Sequence, residues 1–172
     1  YIFLTFILGV FLFISISIFG IIKYTKDLPD YKQLKEYTPS IISRLYTGNG
    51  TLLAEFSAEK RVFIPIDSIP EIIKKAFVSA EDKNFFHHKG VDLQSISKAV
   101  LINIKNLYEG KRLVGASTIT QQLAKNFLLS NEVSLNRKIR EALLALRIER
   151  ILTKDDVLEL YLNEIFLGKR SY

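Results

Sequence analysis

Residues 134–166, SLNRKIREALLALRIERILTKDDVLELYLNEIF, decide the fold class. Ser134 has the side chain to cap a first helical turn. After it Leu135, Ile139, Ala142, Leu143 and Leu146 recur at three- and four-residue spacing, with Arg150 on the same face, which predicts a long amphipathic helix. Thr153 and Asp156 then form a capping box and open a second helix over 157–166. The same period continues upstream. Ser117 is placed to cap a helix running to about Leu129, and Asp92 one whose Leu93, Ile96, Val100, Ile104 and Leu107 form a stripe. Pro70 suits a first helical turn, with Ile72, Ile73, Ala76, Phe77 and Ala80 on one side. The chain is therefore expected to be mainly α.

The period changes before residue 70. Stretches 41–46 and 51–56 flank Thr47-Gly48-Asn49-Gly50, and Asn-Gly is a strong hairpin signal. Stretch 61–66 is the candidate third strand, interrupted by Pro65. Residues 23–40 are polar, hold two Pro and read as a juxtamembrane linker. Residues 1–22, YIFLTFILGVFLFISISIFGII, carry no charge. At roughly 1.5 Å per helical residue such a stretch spans a hydrocarbon core of about 30 Å. It is longer than a signal peptide's apolar region and apolar on every face, so a retained transmembrane anchor is expected. Lys23 and Lys26 would by themselves favour a cytoplasmic C-terminal side. The expected organisation is an anchor at 1–22, a linker at 23–40 and a domain at 41–172.

Composition narrows the chemistry. The 172 residues are 48% hydrophobic and 24% charged, too apolar for a disordered tail and too charged for a multi-span transporter. The absence of Cys excludes a disulfide scaffold, a zinc finger and a thiol nucleophile. The two His, His87 and His88, are too few for a His-rich metal centre. No Met is present, position 1 included, so the sequence reads as part of a longer gene product.

The net charge of +6 is concentrated. Between Gly110 and Arg140 stand Lys111, Arg112, Lys125, Arg137, Lys138 and Arg140 against one acid, Glu132. Charge alone leaves open a solvated basic face, attraction to anionic lipid headgroups, or an anion site. Arg137 and Lys138, however, lie in a first helical turn, where cations oppose the helix dipole unless an anion joins them. Nucleic acid is not the expected anion, since no nucleic-acid motif accompanies the patch. A phosphate or pyrophosphate fits better.

Carboxylates complete the constellation. Glu81-Asp82 ends an apolar helix; a carboxylate at an apolar edge loses hydration and becomes a better base. Glu141 shares a helical face with Arg137 and Lys138, either as an ordinary ion pair or as part of a site. Two carboxylates beside cations suit transfer at an anomeric carbon, one taking a proton while the cations stabilise a phosphate leaving group. Spacing alone leaves glycosyl transfer and lysozyme-type glycan cleavage both open.

Four blocks carry a resemblance. They are Glu81-Asp82-x-x-Phe85-x-x-His88-x-Gly90, the run 115–126 (GASTITQQLAKN), Arg137-Lys138-Ile139-Arg140-Glu141, and the run 154–163 (KDDVLELYLN). In this order, behind an apolar anchor, they resemble the peptidoglycan glycosyltransferase domain of class A penicillin-binding proteins and their monofunctional relatives. The resemblance implies a lysozyme-like helical fold on the outer face of the bacterial cytoplasmic membrane, with the C-terminal domain outside despite Lys23 and Lys26. It implies polymerisation of lipid II into glycan strands with inversion and release of undecaprenyl pyrophosphate. By motif position Glu81 is the general base and Asp82 supports it. Lys125, Arg137 and Lys138 hold the donor pyrophosphate, while Glu141 positions that region or a divalent cation, Mg2+ or Mn2+, though no cofactor is demanded. Ser117, Thr118 and Gln121 line the cleft; Phe85 and His88 shape the loop. Implied partners are lipid II, the growing strand, the bilayer and other cell-wall synthesis proteins. The family's fifth block and a transpeptidase domain would follow residue 172, so the domain is expected to be incomplete at its C-terminus. An inactive membrane-anchored remnant therefore stands as the alternative.

Overall fold

The computed structural model describes residues 8, 9, 11, 12, 15, 20, 24, 25, 28–35, 37, 43–56, 63–129 and 134–165. Among the described residues five α-helices follow a two-stranded hairpin: α1 (Glu71–Glu81), α2 (Leu93–Tyr108), α3 (Ile119–Leu128), α4 (Leu135–Ile148) and α5 (Lys154–Glu164). Most of the 1–22 stretch lies outside the described residues. Among the described residues no helix is long and apolar enough to cross a membrane.

The hairpin pairs β1 (Ser43–Tyr46) with β2 (Leu52–Phe56) in antiparallel register, Arg44 opposite Glu55 and Leu45 opposite Ala54. Gly50 closes its turn at φ +82°, in the left-handed region that glycine enters without a Cβ penalty. The third strand does not form over the described part of 61–66. Ile64 N–H donates to Asn163 Oδ1 at 2.8 Å, and its carbonyl accepts from Asn163 Nδ2 at 2.9 Å. Ile66 N–H donates to Glu159 Oε2 at 2.6 Å. A side-chain clamp from α5 has taken the backbone groups that a sheet needs, and Ile66–Ser68 turns into a 310 helix instead.

Helices α3, α4 and α5 form the core. Ile119, Leu123 and Ala124 of α3 meet Leu144 and Ile148 of α4 and Val157 and Tyr161 of α5, all fully buried. The polar 23–40 stretch joins them: Leu34 is buried, and the Tyr37 ring packs edge-on at 4.9 Å from Phe127. Local capping explains the helix starts. Asp92 accepts from Ser95 N–H, Ser134 accepts from Arg137 N–H, and Thr153 with Asp156 closes a capping box.

Three predicted helix faces are corrected. The α4 face turned inward is Glu141, Leu144, Ala145 and Ile148; Leu135 and Leu146 are exposed. A buried carboxylate sits in the middle of that face, so apolar periodicity alone points elsewhere. In α1 the buried residue is Val78, with Phe77 half-buried and Ile72 exposed. The α2 stripe is not core: Leu93, Val100, Ile104 and Leu107 are exposed, because α2 packs against no other described element beyond marginal contact. Helix α3 is also capped differently, by Thr118 rather than Ser117.

Candidate active site

Helix α1 ends at Glu81, which places an exposed carboxylate at the mouth of a cleft of about 190 Å³. Ser117 and Thr118, at the start of α3, line the same cleft. Glu81 is exposed rather than set in the dehydrated apolar edge expected from the sequence. Its Oε2 accepts instead from Gln122 Nε2 at 2.9 Å.

Asp82 lines the same cleft but is buried. Its Oδ2 accepts from Ile119 N–H at 3.0 Å, one of the open donors at the start of α3. Both oxygens also lie within 3.0 Å of His88 Nε2. His88 Nδ1 accepts from Gly90 N–H at 3.1 Å, so Nδ1 carries no proton and Nε2–H is the donor to Asp82. Asp82 thus joins the end of α1 to the start of α3, and Glu81 is held one residue before that joint. Gly90 closes the loop. At φ +93° it lies so near α4 that a Cβ would meet Ala145 O at 2.6 Å.

Thr118 and Gln121 are buried and committed to the helix start. Thr118 Oγ1 accepts from Gln121 N–H and donates to Gly90 O at 2.6 Å, while Gln121 Oε1 accepts from Thr118 N–H. The pattern Thr118-x-x-Gln121 is a capping box legible in the sequence. Ser117 has Thr120 three residues on and offers no such return bond. That frees Ser117, whose Oγ accepts from Lys138 Nζ at 2.8 Å.

Lys138 is the hinge of the cation cluster. Its Nζ also lies 2.5 Å from Glu141 Oε2. Arg137 Nε sits 3.0 Å from Glu141 Oε1, in charge contact but not aligned for a hydrogen bond. Glu141 is only 1% exposed, so two cations compensate one dehydrated carboxylate. That setting is unsuited to a divalent cation, which the neighbouring cations would repel. Among the described residues no group of three His, Asp or Glu side chains is arranged to hold a metal. Lys125 is half-buried on α3, one turn beyond Gln122, with no hydrogen bond or ion pair to a described residue.

The structure therefore brings Glu81, Ser117 and, through it, Lys138, Glu141 and Arg137 into one connected region. Asp82, Thr118 and Gln121 hold it in place. Gln122, which touches Glu81, escapes the sequence reading, because the choice between Gln121 and Gln122 depends on which residue caps α3. Tyr161 escapes it as well. Its hydroxyl is buried without a hydrogen-bond partner among the described residues, and burial, then the charge of Glu81, push it up to about 12.

A helix-end carboxylate facing a lysine-bonded serine across one cleft, on a mainly helical scaffold, is the equipment of a group-transfer domain. The chain belongs to the transglycosylase family, which it matches over residues 49–172. It is 54% identical over 149 residues to penicillin-binding protein 1A of Rickettsia bellii (strain RML369-C), covering 87% of this chain and 19% of that protein. Against penicillin-binding protein 1A of Rickettsia conorii (strain ATCC VR-613 / Malish 7) the identity is 49% over 174 residues, 98% of this chain and 22% of the relative. The protein of the same name in Escherichia coli (strain K12) is 46% identical over 157 residues, 91% of this chain and 18% of that one. The chain spans about a fifth of the length of the curated relatives it matches.

Proposed function

We propose that this chain carries the machinery of a peptidoglycan glycosyltransferase that extends glycan strands from lipid II, on a lysozyme-like helical fold. One observation supports this most: Glu81 and the Ser117 that anchors Lys138 line a single cleft. A base and a cation cluster so placed serve opposite ends of one displacement. Glu81 takes the proton of the acceptor sugar's 4-hydroxyl as that oxygen attacks the donor's anomeric carbon. The bond from that carbon to the pyrophosphate oxygen breaks, and undecaprenyl pyrophosphate leaves with the electron pair. Lys138, Arg137 and Lys125 neutralise the charge growing on it. A single displacement inverts the anomeric centre. Gln122 aims the Glu81 carboxylate, and Asp82 fixes the joint on which it stands.

The pairing of Glu141 favours transfer over lysozyme-type cleavage. With both oxygens committed to cations it is a poor second carboxylate for hydrolysis, and hydrolysis has no pyrophosphate to stabilise. The bilayer is the expected second partner. The uncharged 1–22 stretch would anchor the chain, and α2 presents exposed Leu101, Leu107 and Tyr108 with Lys98 and Lys105 on the same helix, a composition suited to an anionic lipid surface. The domain would stand on the outer face of the bacterial cytoplasmic membrane, beside other cell-wall synthesis proteins.

The test is Glu81→Gln, assayed for polymerisation of labelled lipid II by the full chain in membranes. The expected result is loss of polymer by at least a hundredfold, with lipid II binding within threefold of wild type. Undiminished polymerisation would remove Glu81 from its role. No polymer from the wild-type chain would favour the inactive remnant.

A further inference from the structure

The cleft at the end of α1 is lined by four ionisable side chains, Glu81, Asp82, Lys83 and Asp92. Three are committed. Glu81 accepts from Gln122, and Asp82 is taken by His88 and Ile119 N–H. Asp92 caps α2 and accepts from Ser95 Oγ at 2.6 Å and Asn84 Nδ2 at 2.7 Å. Lys83 alone among these four has neither hydrogen bond nor ion pair to a described residue, and it is exposed. A second cation, Lys138, bonds the cleft-lining Ser117 from outside and is already paired with Glu141. Among the described residues that line the cleft, Lys83 is thus the one cation, and it pairs with none of them.

We propose that Lys83 is a specificity-determining residue that binds an oxyanion, a carboxylate or a phosphate, on the same acceptor molecule whose hydroxyl is delivered to Glu81. The inference rests on the glycosyltransferase reading above. A transferase that joins molecules of one kind meets the same anionic groups on acceptor and donor. One set of cations cannot neutralise both, because each anion needs its own close counter-charge. Lys83 follows Glu81 by two residues, beyond the end of α1, so a hydroxyl at Glu81 and an anion at Lys83 fit one molecule. Among the described residues no acid pairs with the Lys83 ammonium group. Nothing in the four motif blocks requires a lysine here, which suits a residue that tunes substrate choice.

The experiment uses the full chain in membranes. A donor with its own 4-hydroxyl blocked lets acceptor and donor concentrations vary separately. Lys83→Gln should raise the acceptor KM about tenfold, the worth of one charge-assisted hydrogen bond, with kcat within twofold and the donor KM unchanged. Lys83→Arg should restore the acceptor KM. If the anion is a carboxylate, amidating the acceptor's carboxyl groups removes the difference between wild type and Lys83→Gln. If it is a phosphate, the difference survives amidation, and inorganic pyrophosphate competes with acceptor in wild type but not in Lys83→Gln. An unchanged acceptor KM in Lys83→Gln, a fall in kcat alone, or a KM rise that Lys83→Arg fails to restore would overturn the proposal. Loss of the glycosyltransferase reading shows separately, as an active Glu81→Gln.

Discussion

Replacing Gly90 by Ala tests the contact that holds the Glu81 loop against α4. Gly90 has φ +93°, and a Cβ there would meet Ala145 O at 2.6 Å, its carbonyl carbon at 2.7 Å and Leu146 N at 3.0 Å. All three are backbone atoms of a packed helix, so the loop must withdraw. Three costs follow: about 1–2 kcal/mol for a side chain in the left-handed region, about 1–3 kcal/mol for overpacking, and about 1 kcal/mol as the Thr118 bond to Gly90 O stretches. The smaller entropy of the unfolded Ala chain returns about 0.4–1 kcal/mol. The net expectation is about 2–6 kcal/mol, a large share of the roughly 5–15 kcal/mol typical of a domain. Gly110 provides the control, with φ +63° and nothing within 4 Å of its added Cβ; Gly110→Ala should cost about 1 kcal/mol. Urea unfolding of the detergent-solubilised chain, followed by far-UV circular dichroism, measures both. If Gly90→Ala costs no more than Gly110→Ala, to within about 0.5 kcal/mol, the close approach of loop and helix is wrong.

Other substitutions separate the remaining parts. In the same unfolding assay Thr118→Ala should cost about 2 kcal/mol, losing both the cap and the bond to Gly90 O, and Ser117→Ala less than about 0.5 kcal/mol; the reverse order would restore Ser117 as the cap. The hydrogen bond from the Ser95 hydroxyl, joined by those from Ser95 N–H, Asn84 and Gln94 N–H, holds the Asp92 carboxyl well below the usual range. Its stabilisation is therefore complete above the unfolded value of about 3.9 and is lost as pH falls towards the folded value. Asp92→Asn should flatten the acid limb of a pH–stability curve, and an unaltered limb would contradict this. Tyr161 behaves oppositely: its stabilisation is complete below about pH 10 and lost as pH rises through about 12. Tyr161→Phe should remove that alkaline limb and, by deleting a buried unpaired hydroxyl, raise stability near neutral pH by up to about 1 kcal/mol; a loss of more than about 1 kcal/mol would mean the hydroxyl has a partner.

What the sequence determined by itself was local. Asp92, Ser134 and the Thr153–Asp156 pair cap their helices, and the turn ending at Gly50 closes the hairpin, because each of these bonds is completed within about four residues. The order of the motif blocks, and the position of Glu81 at a helix end, follow from the same short-range signals. The tertiary structure decided everything that depends on a distant partner. Residues 63–66 lose their strand to Asn163 and Glu159, and Thr118 displaces Ser117 as cap with the carbonyl of Gly90 as its second partner. Asp82 is committed to Ile119 N–H, and Gln122 rather than Gln121 reaches Glu81. Glu141 enters the core face of α4 because Arg137 and Lys138 accompany it. A polar side chain is drawn to an unsatisfied donor or acceptor wherever the fold brings one, and residue spacing reports such partners only when they lie on the same helix or turn.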